Sequence, residues 1–122
     1  IVSVQDPIRL PPDSQPEPDI ALLKPREDYY GTAHPTADDV FLIVEVAVTT
    51  VDFDRSTKIP LYAEHGVPVV WLVDLEERRL EIYEEPIDGD YTIVRKPPMD
   101  RRIEVPGGDG LELTAGDCFI DV

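Results

Sequence analysis

The strongest patterned stretch of the chain is Val40 to Val48, Val-Phe-Leu-Ile-Val-Glu-Val-Ala-Val, which is apolar at odd and even positions alike. A strand that is apolar on both alternating faces is covered on both sides, so this segment is expected at the middle of a sheet. A second apolar strand, Val67 to Val73, holds Trp71 and ends at Asp74. Between the two, Ile59, Tyr62 and Ala63 recur at three-to-four spacing, predicting a helix over Asp54 to His65 that Gly66 stops. Pro60 is tolerated only in a first turn, so either the regular helix begins near Thr57 or the chain kinks at Pro60. Upstream, Asp19 to Leu23 reads as a short strand and Arg26 to Asp38 as a loop. Downstream, Arg79 to Tyr83 alternates with period two, the pattern of a half-exposed antiparallel strand. Tyr91 to Arg95 and Ile103 to Val105 are expected to continue it as a meander, turning at Asp88-Gly89-Asp90 and at Gly107 to Gly110. Leu111 to Leu113 and a turn capped by Thr114 complete the pattern. The predicted architecture is an α/β fold, a mixed sheet with at least one covering helix.

Composition narrows this picture. The 122 residues suffice for one domain, and 42% hydrophobic content excludes an acidic disordered tail. Seven of the 13 prolines fall at or before Pro35, so the region before Asp19 is expected to be extended and peripheral. Eleven Lys and Arg stand against 26 Asp and Glu, a net charge of −15 that repels phosphate backbones at long range. Any hold on nucleic acid must then be local, or bridged by metal cations. A single cysteine, Cys118, rules out a disulfide within the chain and points to a reducing, cytoplasmic setting. No apolar run reaches the roughly 18 residues of a membrane span. The chain begins at Ile1 and its only methionine is Met99, so an N-terminal piece is expected to be missing.

One charge stands in the wrong place. Glu45 interrupts the apolar strand, with Ile43 and Ala47 on its own face and Val44 and Val46 on the other. Burying an unpaired carboxylate costs several kcal/mol in practice, so Glu45 must be protonated, paired with a helix Lys or Arg, or bound to a metal. Should the strand begun by Asp19 pair with it, the two carboxylates would meet across the ladder and would repel unless a divalent ion lay between them. Hard oxygen ligands of this kind suit Mg²⁺ or Mn²⁺. Lys58, on the following helix, could lean back over the strand and stabilise negative charge on a water or a phosphoryl oxygen. Asp54 and Arg55, one turn earlier, are candidates for capping the helix and orienting Lys58. His34 is expected to face solvent, His65 to interact with the helix C-terminus, and Trp71 and Tyr62 to be core aromatics.

The segment from Glu45 to Leu75 closely resembles the Uma2 family, described as putative restriction endonucleases. The resemblance lies in a Glu-Val strand, Ser and Thr residues, then Asp, Lys and Tyr on a helix within Asp52 to Tyr62, followed by Gly66-Val67-Pro68 and the strand Trp71-Leu72-Val73-Asp74. Upstream, Glu17-Pro18-Asp19-Ile20-Ala21-Leu22-Leu23 resembles that family's Pro-Asp strand. The likeness implies a restriction-endonuclease-like fold of the PD-(D/E)xK nuclease superfamily. It further implies Asp19 and Glu45 as metal ligands, the backbone oxygen of Val46 as another, and Asp19, Glu45 and Lys58 as the catalytic set. The superfamily's lysine usually stands two residues beyond the glutamate, where this chain has Ala47, so Lys58 would take that role.

These readings together lead to a Mg²⁺- or Mn²⁺-dependent endodeoxyribonuclease, a single domain over residues 1–122 that meets DNA through its metal. The alternative is a non-catalytic interaction module retaining the nuclease fold, which the acidity and Ala47 favour. A homodimer is expected by analogy, because so small a sheet leaves an edge to cover and nucleases of this fold often cut as pairs.

Overall fold

The structure is a computed structural model that describes residues 1–11, 14–31, 33–49 and 51–119. Its strands are β1 (Val2–Val4), β2 (Ile20–Leu23), β3 (Val40–Ala47), β4 (Val69–Asp74), β5 (Arg79–Ile87), β6 (Asp90–Arg95), β7 (Arg102–Glu104) and β8 (Glu112–Thr114). The first six form one mixed sheet in the order β1-β2-β3-β4-β5-β6, and β7 pairs with β8 in a second small sheet. Only β3 and β4 run parallel, which requires a crossover between them. The helical stretch from Val51 to Glu64 is that crossover, and β3 lies inside the sheet as its apolar pattern predicts.

Alternation along each strand sorts side chains into two buried layers. On the helix side, Ile43 and Val70 pack with Ile59, Tyr62 and Val67. On the other side, Leu42, Trp71, Val73, Leu80 and Ile82 pack under Ile103, Val105, Ala115 and Phe119. Both β3 and β4 are thus covered on both faces, as their continuous apolar runs require.

The structure corrects four expectations. The segment before Asp19 is not wholly peripheral: Val2–Val4 forms an edge strand on β2, and Ile8 and Leu10 are core residues. Proline carbonyls explain this, since the Ile8 and Arg9 amides donate to the Pro16 and Pro35 carbonyls, and proline lacks a donor while keeping its acceptor. Residues 102–104 do not continue the meander but leave the main sheet to pair with β8, and the chain from there covers the second face. The turn that allows this brings Gly107 against Phe41 at φ 77°, where an added Cβ would stand 2.3 Å from the ring. The stretch Arg79 to Tyr83 is more covered than its alternation predicts, because Leu80, Glu81 and Ile82 are all buried. Lastly, helical structure starts at Val51 rather than Asp54.

Pro60 shapes that helix. After a first turn, α1 (Val51–Phe53), the chain widens into a π segment at Asp54–Lys58 and then tightens into α2 (Ile59–Glu64), with Pro60 in its opening turn. The Ile59 amide reaches back five residues to the Asp54 carbonyl. Pro60 therefore sits where its missing N–H is tolerated, and the widened turn is of the kind often found at functional sites. Gly66, at φ 77°, ends the helix as predicted. Among the described residues, no helix is long and apolar enough to cross a membrane.

Candidate active site

The ladder register places Glu45 beside Leu72 and Leu72 beside Glu81, so two glutamates flank one leucine in a row on the helix side of the sheet. Each is about 1% exposed. The π segment lies over this row and presents a cation to each.

Lys58 serves Glu45. Its Nζ lies 3.1 Å from Glu45 Oε2 and 3.6 Å from Asp54 Oδ1, while the Tyr62 hydroxyl donates to Glu45 Oε1 at 2.8 Å. Asp54, Lys58 and Tyr62, spaced by four, share one face of the helical stretch. Burial pushes the Glu45 carboxyl above its ordinary range, although Tyr62 and Lys58 both favour its charged form. Burial alone would lower Lys58, but Glu45, Asp54 and Asp19 together hold its ammonium above the usual value. Tyr62 is pushed up by burial and by Glu45, so it remains a hydroxyl donor.

Asp19 meets the same place from the neighbouring strand. β2 pairs antiparallel with β3, Ile20 opposite Val44, and Asp19, which immediately precedes β2, lies beside the Glu45–Val46 step of β3. Its Oδ2 accepts the Val46 amide at 2.7 Å, and its charge acts on Glu45, Lys58 and Tyr62. The Asp19 and Glu45 carboxylates, close enough for the charge of one to act on the other, and the Val46 carbonyl expected to join them are hard oxygen donors, the chemistry that Mg²⁺ and Mn²⁺ take. Each Glu45 oxygen has one hydrogen-bonding partner, which leaves it acceptor capacity. Among the described residues, no group of three or more His, Cys, Asp and Glu side chains is gathered closely enough to hold a metal ion. The protein's share of a coordination shell would be these three oxygens, which fits Mg²⁺, since that ion keeps several waters and takes phosphate oxygens.

Arg55 serves Glu81 instead of orienting Lys58. Its Nε donates to Glu81 Oε1 at 3.0 Å, its Nη2 to Oε2, and Nη2 also lies 3.5 Å from Asp74 Oδ2. The Tyr83 hydroxyl donates to Glu81 as well. Burial would raise Glu81, but the bonds from Arg55 and Tyr83 outweigh it and hold the carboxyl below its ordinary range. The same bonds to Glu81 push the Arg55 guanidinium up. This network of Arg55, Asp74, Glu81 and Tyr83 is absent from the sequence reading. Its only sequence signal is Glu81 between two core residues, Leu80 and Ile82.

Asp54 does not cap the helix: it is buried beside Lys58. Tyr62 is a core aromatic as expected, and also a ligand of Glu45. His65 caps α2, with Nδ1 3.0 Å from the Leu61 carbonyl and Nε2 2.7 Å from the Pro11 carbonyl. His34 is exposed and lines a separate cavity of about 310 Å³ with Tyr29 and Tyr30, apart from the carboxylates.

Residues 1–116 match the Uma2 family model, whose description is "Putative restriction endonuclease". Among solved structures, the chain is similar to a protein of Anabaena variabilis described as "a putative nuclease belonging to DUF820". That likeness is one of fold, at 20% identity and a TM-score of 0.70 over 97% of this chain and 66% of the other, so the chain spans just under two thirds of that protein's length. No curated protein matches the chain.

Proposed function

Since the chain belongs to the Uma2 family, we propose that it is a metal-dependent endonuclease hydrolysing DNA phosphodiester bonds, with Asp19, Glu45 and Lys58 as its catalytic residues. The observation that carries this reading is Glu45: a glutamate buried on an inner strand, next to the Val46 amide that Asp19 accepts, under a lysine and a tyrosine, with its charged form disfavoured. Titratable groups perturbed in this way cluster at functional sites.

Asp19, Glu45 and the Val46 carbonyl would hold a divalent ion, which supplies Lewis-acid activation of water and neutralises phosphate charge. Tyr62 fixes the Glu45 carboxylate by its hydroxyl. Lys58 brings an ammonium to the edge of the site, where it stabilises charge developing on a phosphoryl oxygen. A bound cation would also offset the repulsion that a net charge of −15 exerts on DNA.

Plasmid DNA incubated with the protein and Mg²⁺ or Mn²⁺ tests the reading: nicking is expected, and Glu45→Ala is expected to abolish it. Absence of nicking, or nicking that Glu45→Ala leaves untouched, disproves it. A second reading, a non-catalytic module retaining the fold, draws on the Lys58–Glu45 ion pair, which already gives the buried carboxylate a cation. Calorimetric titration with Mn²⁺ separates the two, because a degenerate module gives no heat that Asp19→Ala removes.

A further inference from the structure

Asp54 is 2% exposed, yet its Oδ1 is the one buried side-chain oxygen or nitrogen without a hydrogen-bond partner among the described residues. Folded proteins leave few such atoms, and each asks for an explanation. The neighbour that could serve it is Lys58, whose Nζ stands 3.6 Å away, just outside hydrogen-bonding range, because it is engaged 3.1 Å from Glu45. The ammonium is thus placed between two buried carboxylates and bonded to one. A move of less than about 1 Å along its flexible stem would bond it to the other.

We propose that Asp54 is a second station for Lys58: when a divalent cation occupies Glu45, the ammonium passes from Glu45 Oε2 to Asp54 Oδ1 and stays at the site. The inference rests on the metal-dependent reading above. A divalent cation and an ammonium repel one another at a shared carboxylate, so Lys58 must yield when the ion arrives. Asp54 supplies the acceptor that keeps it from being driven into solvent. Asp54 is then a positioning residue. It is no metal ligand, consistent with the lack of any three-carboxylate group close enough to hold an ion among the described residues. The π segment explains the arrangement, for it carries Asp54 and Lys58 four residues apart over the inner strand that holds Glu45.

The test is a double-mutant cycle in Mn²⁺ affinity, measured by calorimetry without DNA on the full chain, with Asp54→Asn, Lys58→Met and the double variant. Asp54→Asn is expected to weaken Mn²⁺ binding about tenfold, the low end of what groups supporting a metal's ligands contribute. In the Lys58→Met background the same change should weaken binding less than about threefold. Thermal melts of each variant accompany the titrations, and Asp54→Asn is expected to melt as a cooperative fold near the parent, since Oδ1 makes no hydrogen bond that the change removes, so misfolding would not mimic the result. Equal weakening in both backgrounds would make Asp54 act on the ion directly, and no weakening in either would deny it a role; both overturn the inference. If the unaltered protein shows no Mn²⁺ binding that Asp19→Ala removes, the metal-dependent reading itself fails, and the inference with it.

Discussion

Glu45 and Glu81 lie on one face of one sheet, equally buried, and their carboxyls are shifted in opposite directions. The difference is the cation. Arg55 grips both Glu81 oxygens in a fork, whereas Lys58 offers Glu45 a single point charge. Glu81 is therefore a satisfied structural ion and Glu45 an under-compensated one, which is why the proposed site is centred on Glu45. Tyr62→Phe should remove a donor from that buried carboxylate and cost about 1–3 kcal/mol, read by urea unfolding. Unchanged stability would mean that the bond contributes nothing. Glu45 was legible in the sequence because a charge inside a doubly apolar run is anomalous at any position. Glu81 was not, because it shares a strand face with Arg79 and Tyr83 and alternates with Leu80 and Ile82, and alternation cannot tell a covered polar face from a wet one. His65 makes a separate prediction. Both its ring nitrogens face carbonyls, which only the imidazolium can satisfy with two donors, and the Leu61 and Pro11 carbonyls raise it above 6.5. Because the folded group is raised, its contribution is full below pH 6.5 and is lost as pH climbs through the higher folded value. Melting temperature should decline across that window, and His65→Gln should flatten the decline.

The π segment is the element on which both buried networks depend, since Arg55 and Lys58 lie three residues apart within it and each reaches a different glutamate. Arg55→Met should leave Glu81 and Asp74 buried without their cation. The expected loss is about 2–3 kcal/mol, below the 3–5 of a fully buried pair because water reaches the guanidinium. Arg55→Lys should recover only part of it, as an ammonium cannot match the fork; full recovery in chemical denaturation would contradict the bidentate account. Helix, stop glycine and inner strands were all readable from periodicity and from Gly66. The π widening was not: Pro60 announced a disturbance, but whether the chain would kink or widen depends on what lies beneath the turn, here two buried carboxylates awaiting cations.

At the level of the whole molecule, the second face of the sheet is closed by residues 103–119, with Phe119 packed in the cluster that holds Trp71. Phe119→Ala should cost about 3 kcal/mol and shift the emission of the chain's single tryptophan to the red; unaltered emission would place Trp71 outside that core. The sequence by itself determined the α/β class, the inner strands and the helix between them, and it singled out Glu45 as a buried charge, because periodicity and a misplaced charge are local signals that chain order carries. Only tertiary structure decided that residues 102–104 leave the sheet, that Ile8 and Leu10 join the core, and which cation meets which carboxylate. Those outcomes turn on contacts between segments far apart in the chain, and no local pattern encodes which surface a segment will find to cover.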